Sequence, residues 1–220
     1  MIRRGEKIVE ANRFLLKDEQ RRVRAEIGMR GTDPTISLFD EEGRRRCEIG
    51  LKGHNSFIAF LSDEEEPQME LAKEDQAQFF RFGGVKGYSV ELSVSEGGVN
   101  LVFRDKGEKP KLALALEGDI PALLLFSEAG EPRARLMLSQ RGVSLSLLDD
   151  QSRGGMEAEV FDNIPSLSFY SPDGDLRMEF SVEGGEPSIA LFGTGEDAKV
   201  LIEVAEEKGI IEVNEGENDS

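Results

Sequence analysis

Residue types that do covalent chemistry are scarce in this sequence. His54 is its only histidine and Cys47 its only cysteine, so a Ser-His-Asp or Cys-His relay would have to use His54. It lies in Lys52-Gly-His-Asn55, a predicted turn, while Cys47 falls at a regularly spaced apolar position whose equivalents are Ala25, Met69 and Ala134. A small buried hydrophobe is the expected role there. Zinc needs several Cys or His ligands, and one of each does not supply them. Carboxylates are plentiful: Asp63-Glu-Glu-Glu66, Asp149-Asp150, Asp40-Glu-Glu42 and Glu215-Gly-Glu-Asn-Asp219. Calcium takes such oxygens, but the Asp-x-Asp-x-Asp-Gly loop and the Gly-Gly-x-Gly-x-Asp repeat are both missing, so solvated turns are expected. With 44 acidic residues, close carboxylate pairs of the glycoside-hydrolysing kind occur in any fold and identify nothing. Gly83-Gly84-Val-Lys-Gly87 has neither the Gly-Lys-Ser/Thr order nor the following helix of a phosphate loop. No catalytic, cofactor-binding or metal residue is assigned, and the expectation is a protein without enzymatic activity or cofactor.

The elements that position these residues are set by a repeat. Pairs of apolar residues recur at Phe14/Leu16, Ile36/Leu38, Ile58/Phe60, Phe80/Phe82, Leu101/Phe103, Leu123/Leu125, Leu145/Leu147, Leu167/Phe169 and Ile189/Leu191. Every step is 22 residues except one of 21, which falls at the Gly83–Gly87 segment. A second apolar set follows each pair, as in Cys47/Ile49/Leu51 and Met178/Phe180/Val182, and a fragment, Ile211 and Val213, closes the series. Nine copies in register mark a repeat architecture. Within each copy the apolar positions alternate at period two, the pattern of a strand with one buried face. Turn formers separate the strands: Asp40-Glu-Glu-Gly43 and Ser171-Pro-Asp-Gly174 on one side, Gly31-Thr-Asp-Pro34 and Gly184-Gly-Glu-Pro187 on the other. The gaps between inward residues across each turn, nine from Leu38 to Cys47 and seven from Leu51 to Ile58, are odd, as antiparallel hairpins require. The expected fold is all-β: nine tandem strand-turn-strand repeats in an elongated antiparallel meander. A single-chain β-solenoid is the alternative. Residues 1–12 read as an N-terminal arm or lead-in strand, 13–204 as one β-repeat domain, and 205–220 as a terminal half-repeat with an acidic tail.

Composition narrows the partners. A formal charge of −17, from 27 basic and 44 acidic residues, repels nucleic-acid phosphates. No run of 18 apolar residues is present to span a membrane, and residues 1–15 lack the apolar stretch of a secretory signal. A cytoplasmic location is expected, and the lone Cys47 suits a reducing compartment.

The outward positions differ between the two strands of each repeat. On the second strand a basic column (Arg24, Arg46, Lys111, Arg133, Arg177, Lys199) runs beside an acidic one (Glu26, Glu48, Glu70, Glu91, Glu157, Glu179), as on a solvated sheet surface. The first strand ends outward in Phe39, Leu61, Phe126, Leu148, Tyr170 and Phe192. Either these six lie under the stems of neighbouring Arg and Lys side chains, or they form an interface with another chain, since an exposed row of them would exceed the apolar patch a monomer tolerates. The inward face makes a stronger demand. Eighteen strands at about 4.8 Å spacing make a sheet about 85 Å long, whose one apolar side has to be covered, and no amphipathic helix is present to do so. A homo-oligomer follows, with a trimeric three-sided β-prism preferred to a dimeric sandwich.

The unit apolar-x-apolar-x-Asp-x-x-Gly-x-x-Arg, clearest from Ile36 to Arg46, resembles the tandem 22-residue β-hairpin repeats of uncharacterised bacterial proteins. It is similar in style to YD-type hairpin repeats, although the defining Tyr-Asp pair is missing. The resemblance covers roughly residues 14–204 and implies architecture alone; the prism is an analogy with phage-type fibres and spikes. The expected function is that of a structural or assembly protein, a rigid oligomeric scaffold or spacer. A protein- or glycan-binding module using the repeated sheet surface is the alternative, and a carboxylate-dependent hydrolase ranks third.

Overall fold

The computed structural model describes residues 10–83, 87–151, 154–193, 198–205 and 208–213. Among these residues the protein is all-β, with 19 strands and no helix. It divides into two compact units, one holding the strands up to Glu96 together with Asp105–Glu108, the other Gly97–Arg104 and the chain from Lys109 onward. The segments where the arm, the 21-residue step and the acidic tail were expected lie wholly or partly outside the described residues, at 1–9, 84–86 and 214–220.

The first unit contains β1 (Arg13–Lys17), β2 (Val23–Arg30), β3 (Asp33–Phe39), β4 (Arg45–Lys52), β5 (Asn55–Leu61), β6 (Pro67–Glu74), β7 (Ala77–Phe82) and β8 (Ser89–Ser95). Each pairs antiparallel with the next in chain order. The second contains β9 (Gly98–Arg104), β10 (Pro110–Glu117), β11 (Ile120–Phe126), β12 (Pro132–Ser139), β13 (Gly142–Leu148) and β14 (Gly154–Phe161). It continues through β15 (Ile164–Tyr170), β16 (Leu176–Glu183), β17 (Glu186–Phe192), β18 (Ala198–Ala205) and β19 (Lys208–Val213), again a meander paired in chain order. The meander therefore forms and the solenoid does not. Each strand pairs antiparallel with its neighbour in sequence rather than in parallel with the like strand one repeat on.

Two kinds of turn alternate. At one end of the strands two residues suffice, as in Asp162-Asn163 between the paired Phe161 and Ile164. Both central residues have positive φ, 51° and 68°, which matches the twist of the flanking strands. This tight turn sets Leu51 opposite Ser56 and Ile49 opposite Ile58, so the seven-residue gap from Leu51 to Ile58 keeps the face but not a direct pair. At the other end a longer turn opens on Asp or Ser. Asp40 Oδ1 accepts the backbone N–H groups of Glu42 (3.0 Å) and Arg44 (2.9 Å), and Oδ2 accepts Arg44 Nε at 2.9 Å. Ser62 and Ser127 use their hydroxyl oxygens in the same way. The fourth turn residue is left-handed: Gly43, Gly130 and Gly174, but also Arg21, Glu65 and Glu108. The side-chain cap and the repeat register hold non-glycine residues there against their steric preference.

Every long turn but the one between β7 and β8 also shifts the register by one residue. Leu38 faces Cys47, as the nine-residue gap requires, but Phe39 faces Arg45, leaving Arg46 unpaired as a bulge. The same shift puts Gln68, Lys111, Arg133 and Arg177 at the bulge position.

Candidate functional site

The strand pairing sorts the side chains into cross-strand columns. On one face of the first unit Ile27, Ile36, Ile49, Ile58, Leu71, Phe80 and Leu92 follow one another across seven strands, beside Ala25, Leu38, Cys47, Phe60, Met69, Phe82 and Val90. In the second unit the matching columns run from Leu101 to Ile211 and from Phe103 to Val213. Neither column of either unit holds a charged residue.

This apolar face is open. Among the described residues, fourteen of its large apolar side chains in the first unit and sixteen in the second are well exposed, with Ile27 at 52% and Leu138 at 53%. In the first unit a trough of about 810 Å³ follows the turn-side margin of β3–β7, lined by Ile36, Ile49, Ile58, Leu71 and their neighbours. Cys47 sits half-buried in its column between Leu38 and Phe60, and desolvation pushes its thiol pKa up. Low thiolate content at neutral pH suits a packing residue better than a nucleophile. His54 lies exposed in the two-residue turn between Lys52 and Asn55.

The opposite, charged face is the closed one. Its central column alternates tall and small residues from Glu26 through Ser37, Glu48 and Ala59 to Glu70, then continues with the tall Arg81 and Glu91 in the first unit; Arg135, Ser146, Glu157, Ser168 and Glu179 alternate in the second. The small residues are covered by the tall ones beside them. Ser146 is 1% exposed and donates to Glu157 Oε1 at 3.1 Å. Glu48, itself buried, accepts Arg30 Nη1 at 3.1 Å and Arg45 Nη1 at 2.9 Å, and Arg45 continues to Glu65 at 2.9 Å. Arg81 pairs with Glu91 at 2.6 Å and lies over the buried ring of Phe79, 5.1 Å from its centroid. Burial, together with the nearby charges of Glu157 and Glu179, raises the Glu159 carboxyl.

The six outward residues singled out by the sequence, Phe39, Leu61, Phe126, Leu148, Tyr170 and Phe192, end their strands at the register shifts, and all six are half-buried. Desolvation and the neighbouring Glu157 raise the Tyr170 phenol, whose hydroxyl donates to Glu157 Oε2 at 3.1 Å. The bulged basic residues reach from these positions to the following long turn. Arg46 pairs with Asp63, Lys111 Nζ donates to the Ser127 carbonyl at 3.0 Å, Arg133 meets Asp150 at 2.8 Å, and Arg177 donates to the Gly193 carbonyl. At these four positions the basic column clasps one repeat to the next. Its signal in the sequence was the extra residue between turn and ladder.

The acidic runs at 40–42, 63–66 and 149–150 lie in these turns, and that at 215–219 lies outside the described residues. Asp63 is held below the usual carboxylate range by hydrogen bonding to Arg46 and the charge of Arg44, and Glu65 by the backbone and side chain of Arg45. Desolvation opposes ionisation of Asp40, yet the backbone N–H and guanidinium of Arg44 keep it low. Among the described residues no group of three or more His, Cys, Asp or Glu side chains is placed to hold a metal ion, and no helix is long and apolar enough to cross a membrane. No known protein family matches this chain, and no curated protein matches its sequence.

Proposed function

We propose that this chain is a non-enzymatic structural protein, a rigid β-repeat scaffold that works as a homo-oligomer. The observation that carries the reading is the open apolar face. On it fourteen large apolar side chains of the first unit and sixteen of the second are well exposed among the described residues, an apolar surface of a size that monomers do not carry. Support for rigidity comes from the capped turns and from the clasps at Arg46, Lys111, Arg133 and Arg177. Size-exclusion chromatography with light scattering tests the reading: a mass two or three times 24.3 kDa supports it, the threefold value favouring the prism. A mass of 24.3 kDa throughout the micromolar range would overturn it. The alternative, a ligand-binding column at Phe39, Leu61, Phe126, Leu148, Tyr170 and Phe192, has less behind it, because those side chains are already half-buried within the single chain.

A further inference from the structure

The scaffold reading does not say which surface the copies share. Resting on that reading, we propose that copies of this chain meet apolar face to apolar face, and that this contact seals Cys47. Three observations lead there. The first is area. In the second unit alone, sixteen large apolar side chains on this face are 37% to 70% exposed, on the order of 1,000 Å² per copy, where a stable interface needs about 800 Å² from each partner. The second is chemistry: the two central columns hold no charge in either unit, so the occupant must itself be apolar over the same length. The third is spacing. Each repeat contributes two strands, so the side-chain ridges recur about every 9.6 Å along the sheet. Another copy of the chain carries ridges at the same interval, and they mesh at every repeat as two sheets pack.

Other occupants fit less well. A small apolar ligand in the trough would cover part of the first unit and nothing of the second. Edge-to-edge pairing through β1 and β19 would use short strands that bear Arg13, Lys17, Lys208 and Glu212, and it would leave the apolar face wet. Because the chain carries −17, apolar mating proceeds against mutual repulsion and tightens as salt screens it. An interface made of ion pairs would show the opposite dependence.

The test combines the native thiol with a pair of substitutions distant from it in sequence. Leu136 and Leu145 face each other across β12 and β13 and are 43% and 38% exposed, so Leu136→Lys with Leu145→Glu leaves a cross-strand ion pair that the single chain tolerates. The expected result is loss of the oligomer to a 24.3 kDa species, with the strand-type circular dichroism retained. Maleimide labelling of Cys47 should be at least about tenfold slower in the assembled wild type than in this variant or in wild type diluted below its association midpoint. Raising salt from about 50 to about 500 mM should lower that midpoint. An oligomer that persists in the folded variant overturns the proposal while leaving the scaffold reading in place, as does Cys47 labelling equally fast in assembled and diluted wild type. The dilution series involves no substitution, so it decides the matter even if the variant does not fold. A wild-type chain that stays at 24.3 kDa removes both readings together.

Discussion

The first residue of β13 is a place where the backbone permits a single residue type. Gly142 has φ of +154°, and a Cβ built on it would stand 1.7 Å from the Val160 carbonyl oxygen and 2.8 Å from its carbon. Gly142→Ala therefore meets two penalties. Holding an L-residue in that conformation costs about 1–3 kcal/mol. Moving the β14 backbone aside also weakens the rung between Gly142 and Phe161, about 1 kcal/mol more. The stiffer unfolded chain returns about 0.4–1 kcal/mol, leaving a net loss of about 2–3 kcal/mol. Gly118 provides the control. Its φ is +60° and a methyl group added there would meet no atom within 4 Å, so Gly118→Ala loses the left-handed penalty of about 1–2 kcal/mol less the same entropic return. Urea unfolding at one fixed protein concentration, so that any association contributes equally, should place the Gly142→Ala midpoint well below that of Gly118→Ala with similar slopes. Equal midpoints, or the reverse order, would refute the steric argument.

Two further outcomes follow from the charged face and the turns. Asp18, Asp40, Asp63 and Glu65 are all held below their ordinary values, so the stability they contribute is complete above about pH 4–5 and is lost as pH falls through their folded values. Glu159, raised by burial, acts with the opposite sign, but it stands alone against the four. The urea midpoint should thus stay nearly level from about pH 7 to 5 and drop below about pH 4; a midpoint that climbs steadily to about pH 2.5 contradicts the assignment. Glu48→Gln removes the charge from a buried carboxylate that two guanidiniums share, with an expected loss of about 1–3 kcal/mol by thermal or urea unfolding. Glu42→Gln, at an ion pair whose acid is 64% exposed, should leave stability unchanged, and equal losses at the two sites would contradict the difference in burial.

The repeat made much of the fold legible. Period-two alternation specified strands, odd gaps specified antiparallel pairing, and Leu38 does face Cys47. The turns were legible by position rather than by residue: Glu65 and Glu108 take the conformation of Gly43 because the register puts them there. Other features do not reside in alternation at all. Arg46 and Arg177 read as members of a basic column, whereas their role as bulges that clasp the next turn depends on a one-residue slip that any hydrophobic pattern absorbs. Which face is closed within the single chain depends on side-chain height across neighbouring strands. Ser146 is covered because Arg135 and Glu157 flank it, a relation spread over 22 residues of sequence. The candidate surface followed the same division: its columns were plain in the sequence, but their openness required the partner strands to be placed.

The two faces have opposite needs, and this bears on why the array is long. The charged face largely covers itself: Ser37, Ala59, Ser146 and Ser168 are roofed by their neighbours, and Arg46, Lys111, Arg133 and Arg177 reach the next turn. The apolar face gains no cover from lengthening; every added repeat exposes about three more large side chains, on the order of 200 Å². Set against the roughly 800 Å² per partner that a lasting interface requires, the proposed pairing of apolar faces would fail for a chain of two or three repeats and hold for one beyond about four. The nine copies read in the sequence lie past that threshold. If copies pair through this face as proposed, the repeat number sets the strength of association, and the constant spacing within each repeat sets its register.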